Sequence, residues 1–245
     1  LISQFHYHPS PTQLSQLPNE LLALILAKID ILKLIFLRGV NSRWKAIIEF
    51  LCHQKQGLCL YEGDGYFFYP NSVWSDPIDF IRIRMGSDSD QMAASSKFCT
   101  FIKRLLPNLQ HLAICVEGVH FDVNTLFMLL DQWQAQLTTL VIRTRIRESH
   151  TAALCDRINL MHGLRKLSLD DIPVTASQLA ATLRRLDQFA IGSFNEDSPV
   201  NTSTVFRHLG PNCTHLSCWS LFDPLINLHW ALGINPPLFA HLTHL

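Results

Sequence analysis

LQHLAI at residues 109–114 recurs as LTTLVI at 137–142, LRKLSL at 164–169 and LDQFAI at 186–191. A weaker copy, CTHLSC, stands at 213–218, LTHL opens another at 242–245, and IDFIRI at 78–83 reads as an earlier one. Leu109, Leu137, Leu164, Leu186, Cys213 and Leu242 open these copies, at steps of 28, 27, 22, 27 and 29 residues. The fourth and sixth positions, Leu112 and Ile114 in the first full copy, are two residues apart and so share one face of a short strand. Apolar helical segments precede the strands, at 98–106, 126–133, 152–161, 179–186 and 205–209. A unit of one strand and one helix cannot bury its own apolar face, so neighbouring units must stack. The expected fold class is α/β, a solenoid with parallel strands on a concave face and helices on the convex face.

The L-x-x-L-x-L pattern and its period resemble the leucine-rich-repeat family. The resemblance spans residues 78–245. The pattern stops in mid-copy at Leu245, and terminal repeats need a polar cap. The repeats are therefore expected to be truncated at the C-terminus.

Residues between the anchors are expected to face solvent on the concave side. Among them are Arg82, Arg84, His111, Arg143, Lys166 and Trp219. Arginine suits planar, two-pronged capture of carboxylate or phosphate. The expectation is a substrate-binding face for an acidic or phosphorylated protein segment. The bland alternative is a solvated face whose charges pair with nearby Asp or Glu.

A second stretch is built differently. Residues 17–48 read LPNELLALILAKIDILKLIFLRGVNSRWKAII, the most apolar part of the chain. Pro18 suits a first helical position, and Glu20 favours the first turn. Leu21, Leu22, Ile25, Leu26 and Ile29 follow at helical spacing. Residues 31–38 repeat the mixture, Gly39 weakens it, and Asn41 or Ser42 can cap a third helix carrying Trp44, Ile47, Ile48 and Leu51. A membrane span is a poor fit. The longest apolar run, 21–37, is short of the roughly 20 residues needed, and Lys28, Asp30 and Lys33 interrupt it.

Leu17-Pro18-Asn19-Glu20 with the later Val40 and Trp44 resembles an F-box, which opens on Leu-Pro-x-Glu and closes on Val-x-x-x-Trp. Gly39 and Asn41 depart from the residues usual there. The resemblance implies docking to the adaptor subunit of a cullin–RING ubiquitin ligase. By position, Leu17, Pro18, Ile25, Leu26, Leu34, Val40 and Trp44 would form the adaptor-binding face or its immediate support. A concentrated apolar surface also needs a partner on physical grounds.

The expected organisation is a flexible lead-in at 1–16, an F-box at 17–52, a linker at 53–77 and repeats at 78–245. With 20 basic and 20 acidic residues, the chain is formally neutral, which argues against a nucleic-acid or anionic-membrane partner. Seven cysteines without a framework favour a reducing compartment, cytoplasmic or nuclear. Cys52, His53 and Cys59 lack a second close pair, and Cys213 and Cys218 fall on anchor positions, so neither group reads as a metal site. No phosphate loop, nucleophile elbow or zinc-protease motif is present, so no cofactor and no enzymatic activity are expected. The sequence reads as a substrate-recognition subunit of a ubiquitin ligase. The alternative is a leucine-rich scaffold without a ligase role.

Overall fold

The computed structural model describes residues 14, 16–29, 34, 37–62, 79–82, 99–116, 123–144, 146–170, 172–193 and 208–220; at 59–62, 79–82, 116, 176, 193 and 217–220 it describes the backbone alone. The chain divides into two compact units, Leu1–Gln54 and Lys55–Leu245.

In the first unit, α1 (Asn19–Leu26) and α2 (Ser42–His53) are the two helices with full bounds. Pro18 stands one position ahead of α1, and its carbonyl accepts from Leu22 N at 3.0 Å. Asn41 is the N-cap of α2. Its side chain accepts from Trp44 N at 2.9 Å, which satisfies one of the donors left open at a helix start. Leu34 and Leu37 are helical, while most of the expected middle helix, with Ile31, lies outside the described residues. Leu22, Leu26, Leu34, Ile48, Leu51 and Cys52 are buried and form this unit's core. Arg43 crosses it, with Nε donating to Asn19 Oδ1 at 2.7 Å and Nη2 donating to the Leu17 carbonyl. Arg38 pairs with Glu49 on α2.

The second unit is a parallel sheet with helices between its strands. The strands are β1 (Gly57–Glu62), β2 (Asp79–Arg82), β3 (His111–Val116), β4 (Thr139–Arg143), β5 (Lys166–Asp170), β6 (Gln188–Ser193) and β7 (His215–Ser220). The helices are 99–105, α3 (Val123–Trp133), α4 (Glu148–Leu160) and α5 (Ala176–Leu183). The sheet order is β2-β1-β3-β4-β5-β6-β7. From β3 onward each strand lies beside its predecessor, with α3, α4 and α5 in the connections between successive strands.

Register aligns the anchors. Leu112, Leu140, Leu167, Phe189 and Leu216 stand side by side, as do Ile114, Ile142, Leu169, Ile191 and Cys218. A backbone ladder marks the entry to each strand. The carbonyl of Gln56 accepts from the N–H groups of Gln110 and His111, both at 2.8 Å. Gln110, Thr138, Arg165 and Asp187 each receive the same double bond from the next unit. The arrangement is a repeat-like α/β stack.

The ladder relocates the first unit of the stack. Gly57–Glu62 fell within the expected linker, yet it is β1, with Leu58 buried and in register with Leu112. Residues 78–83, read as the copy before 109–114, contain β2, which sits beyond β1 at the sheet edge. The polar loop at 86–97, the loop at 194–203 and the last copy at 242–245 lie outside the described residues.

Side chains staple successive units through backbone carbonyls. Trp133 Nε1 donates to Leu106 O at 3.2 Å, and Gln136 Nε2 to Pro107 O at 2.8 Å. Lys103 Nζ donates to Gln132 O at 2.7 Å and lies 5.2 Å from the Trp133 ring centroid; burial lowers its pKa. Arg157 joins α3 to α4 through Asp131 at 2.9 Å and through the Phe127 ring at 4.1 Å. Arg185 Nη2 lies 3.0 to 3.2 Å from the carbonyls of Ile158, Asn159 and Met161, so a cation closes the C-terminus of α4.

Candidate docking surface and strand face

Two surfaces follow from these elements. The first is on α1. Leu22 and Leu26 point into the core, and on the same helix Leu21, Leu24 and Ile25 are 49%, 64% and 45% exposed. Positions 21, 24 and 25 are neighbours on a helix surface. α1 is therefore apolar on two faces and buries one of them within its own unit.

The expected adaptor-binding residues divide accordingly. Pro18, Ile25 and Val40 are exposed. Leu17 and Trp44 are half-buried, and Leu26 and Leu34 are core residues beneath the surface. Leu21, Leu24 and Phe50 are exposed apolar residues that the family pattern did not single out. Their exposure follows from the helical phase: if Leu22 and Leu26 face inward, Leu24 must face outward. Arg43 is a further residue at this surface. It fixes the start of α1 through Asn19 and Leu17.

The second surface is the strand face opposite the anchors. It was expected to be open to solvent, and in its central columns it is not. Ala113, Val141, Ser168 and Ala190 stand in one row across β3 to β6, and all are buried. In the next row Cys115, Asp170 and Gly192 are buried too. Parallel sheets are commonly buried on both faces, and their strands then read as near-continuous apolar runs. LAICV at 112–116 and TLVI at 139–142 have that character and carry no polar alternation.

Arg143 belongs to this second row. It is in register with Asp170, and the Nε–Oδ2 separation is 2.6 Å. Their side chains are 11% and 3% exposed, so a ligand carboxylate at Arg143 would compete with a buried internal one. His111 and Lys166 open β3 and β5 and are half-buried in the row at the strand starts, where His215 also stands. Arg82 lies on β2 in the same row as Arg143, with Tyr61 and Cys115 between them, about 14 Å away at the usual strand spacing. The Arg82 and Trp219 side chains, and all of Arg84, lie outside the described residues.

The cysteines behave as core residues. Cys52, Cys99, Cys115, Cys155 and Cys213 are buried and outside any disulfide. Burial, then the charge of Asp156, pushes the Cys155 thiol up to about 12. Burial pushes Cys213 up to about 11, with Asp187 adding to the rise and backbone hydrogen bonds opposing it. Thiols held this high are poor nucleophiles near neutral pH. Among the described residues no group of three or more His, Cys, Asp or Glu is placed to hold a metal. No helix among them is long and apolar enough to cross a membrane.

In a comparison with known families, residues 14–53 match the F-box domain. The match brackets α1, α2 and the exposed stripe on α1. No curated protein matches the chain.

Proposed function

We propose that this chain is a substrate-recognition subunit of a cullin–RING ubiquitin ligase. The F-box docks to the ligase adaptor, and the strand–helix stack holds a protein substrate. The observation that carries the reading is the unburied apolar stripe Leu21, Leu24 and Ile25 on a helix inside the F-box match. F-box domains typically bind the adaptor and through it a cullin. The even anchor register supports reading residues 55–245 as leucine-rich repeats, and five buried cysteines outside any disulfide among the described residues suit a reducing cytoplasmic or nuclear setting. The mechanism is proximity: bridging substrate and ligase raises the local concentration of substrate lysines at the ligase's active end. The bond chemistry belongs to the ligase and not to this chain.

The test is co-purification with the adaptor subunit. Leu24 and Ile25 are exposed, so Leu24→Asp with Ile25→Asp should leave the core of the unit intact. Central interface residues contribute about 2 kcal/mol or more each, so the double variant should weaken binding at least ~100-fold. A wild-type chain that forms no stoichiometric complex, or a double variant that binds as well as wild type, overturns the proposal.

A further inference from the structure

We propose that the end of the sheet where the strands begin carries a binding site for a short acidic polypeptide segment, centred on Arg165 and Arg184. The site is independent of the F-box. The chain is formally neutral, so a local excess of one sign comes from how the fold places its charges. In the turns entering β5 and β6, residues 161–166 and 184–188, stand Arg165, Lys166, Arg184 and Arg185. Asp187 is the one acid among the described residues there.

The arrangement is specific. Arg165 reaches across to the next unit, and its Nη1 donates to the Arg185 carbonyl at 3.2 Å. That bond sets its guanidinium on the turn that carries Arg184, and both side chains stay exposed. Arg185 is committed elsewhere, to the carbonyls ending α4. After burial, the nearby charge of Arg165 is what lowers the Arg185 pKa, so these cations feel one another. Three other arginines have carboxylate partners: Arg38 has Glu49, Arg143 has Asp170 and Arg157 has Asp131. No carboxylate among the described residues is ion-paired with Arg165 or Arg184. Holding like charges together without a counter-charge costs stability, and an arriving anion would remove that cost.

The chemistry favours carboxylates on an extended peptide. Guanidinium groups grip carboxylates with paired N–H donors. Adjacent strands are about 4.8 Å apart, and alternate side chains of an extended chain are about 6.6 Å apart. Acidic residues at alternate positions can therefore reach neighbouring turns. A nucleic-acid surface commonly neutralises on the order of 6 to 10 phosphates, and this cluster spans two adjacent turns with an acid at its border.

The probe is a fluorescein-labelled peptide of alternating Glu and Ser, followed by anisotropy with the full chain. The controls are a Gln-for-Glu peptide and single-stranded DNA of equal charge. Wild type should bind the Glu peptide, more weakly as salt rises, and leave the Gln peptide unbound. Arg165→Gln with Arg184→Gln should raise Kd at least tenfold without moving the thermal unfolding midpoint. No binding by wild type, equal binding of the Gln peptide, tighter binding of the DNA, or an unchanged Kd in the double variant would each overturn the site.

Discussion

Arg143 shows how one residue can carry two opposite readings. By sequence it is an arginine on a non-anchor strand position, available to a ligand. In the fold it stands against Asp170, a carboxylate that is itself buried. Breaking a buried ion pair by removing one partner leaves an uncompensated charge, and roughly 3–5 kcal/mol is the usual cost. Arg143→Met should therefore lower the denaturant midpoint strongly, and adding Asp170→Asn should restore much of the loss. A single variant with wild-type stability would show that the pair contributes nothing. The pairing was legible in principle. Aligning Ile142 with Leu169 in the repeat frame also aligns Arg143 with Asp170. Burial was not legible from the frame alone, because alternation in a strand separates its two faces without saying which of them is covered.

At the scale of elements, the strands were easier to place than the helices. Most strand anchors are Leu, Ile or Phe at fixed spacing, whereas several helical core positions are threonines. Thr125 on α3, Thr151 on α4 and Thr182 on α5 are all buried. An apolar pattern passes over them, so the expected starts at 126 and 152 fall three and four residues late, against Val123 and Glu148. Glu148 marks the true start of α4 by charge, since an acid in the first turn suits the helix dipole. The turns between elements pack as tightly as the elements do. Gly210, before β7, donates its N–H to Leu183 O at 3.1 Å, and a Cβ there would fall 1.9 Å from the carbonyl oxygen of Arg184. Gly210→Ala forces backbone apart and should cost roughly 1–3 kcal/mol, read from the denaturant midpoint. Gly163→Ala is the control, because its nearest contact would be an ordinary 3.4 Å. Equal effects at the two glycines would show that space at Gly210 is not the constraint.

For the molecule as a whole, the open question was where the stack begins. The repeat frame places its first strand near residue 78, yet the ladder begins at Gln56. The step from Gln56 to Gln110 is 54 residues, twice the usual period, so a reader counting copies fills the gap with 78–83. Only pairing shows that this segment goes to the outer edge, while GLCLYE takes the inner place. Its cue was thin: Leu58 and Leu60 repeat the L-x-L core, but Lys55 stands where the first anchor belongs. Two fragments test the point. One starting at Lys55 keeps β1 between β2 and β3. One starting at Ile78 loses the Gln56 rung, the six-residue pairing with β3 and the buried Leu58. Truncating a single buried leucine costs roughly 2–5 kcal/mol, so the shorter fragment should lose at least that much or fail to fold. The longer fragment should unfold cooperatively, since it spans the second compact unit, Lys55–Leu245. Equal stability of the two fragments would return 57–62 to the role of a linker and leave β3 able to stand at the edge of the stack.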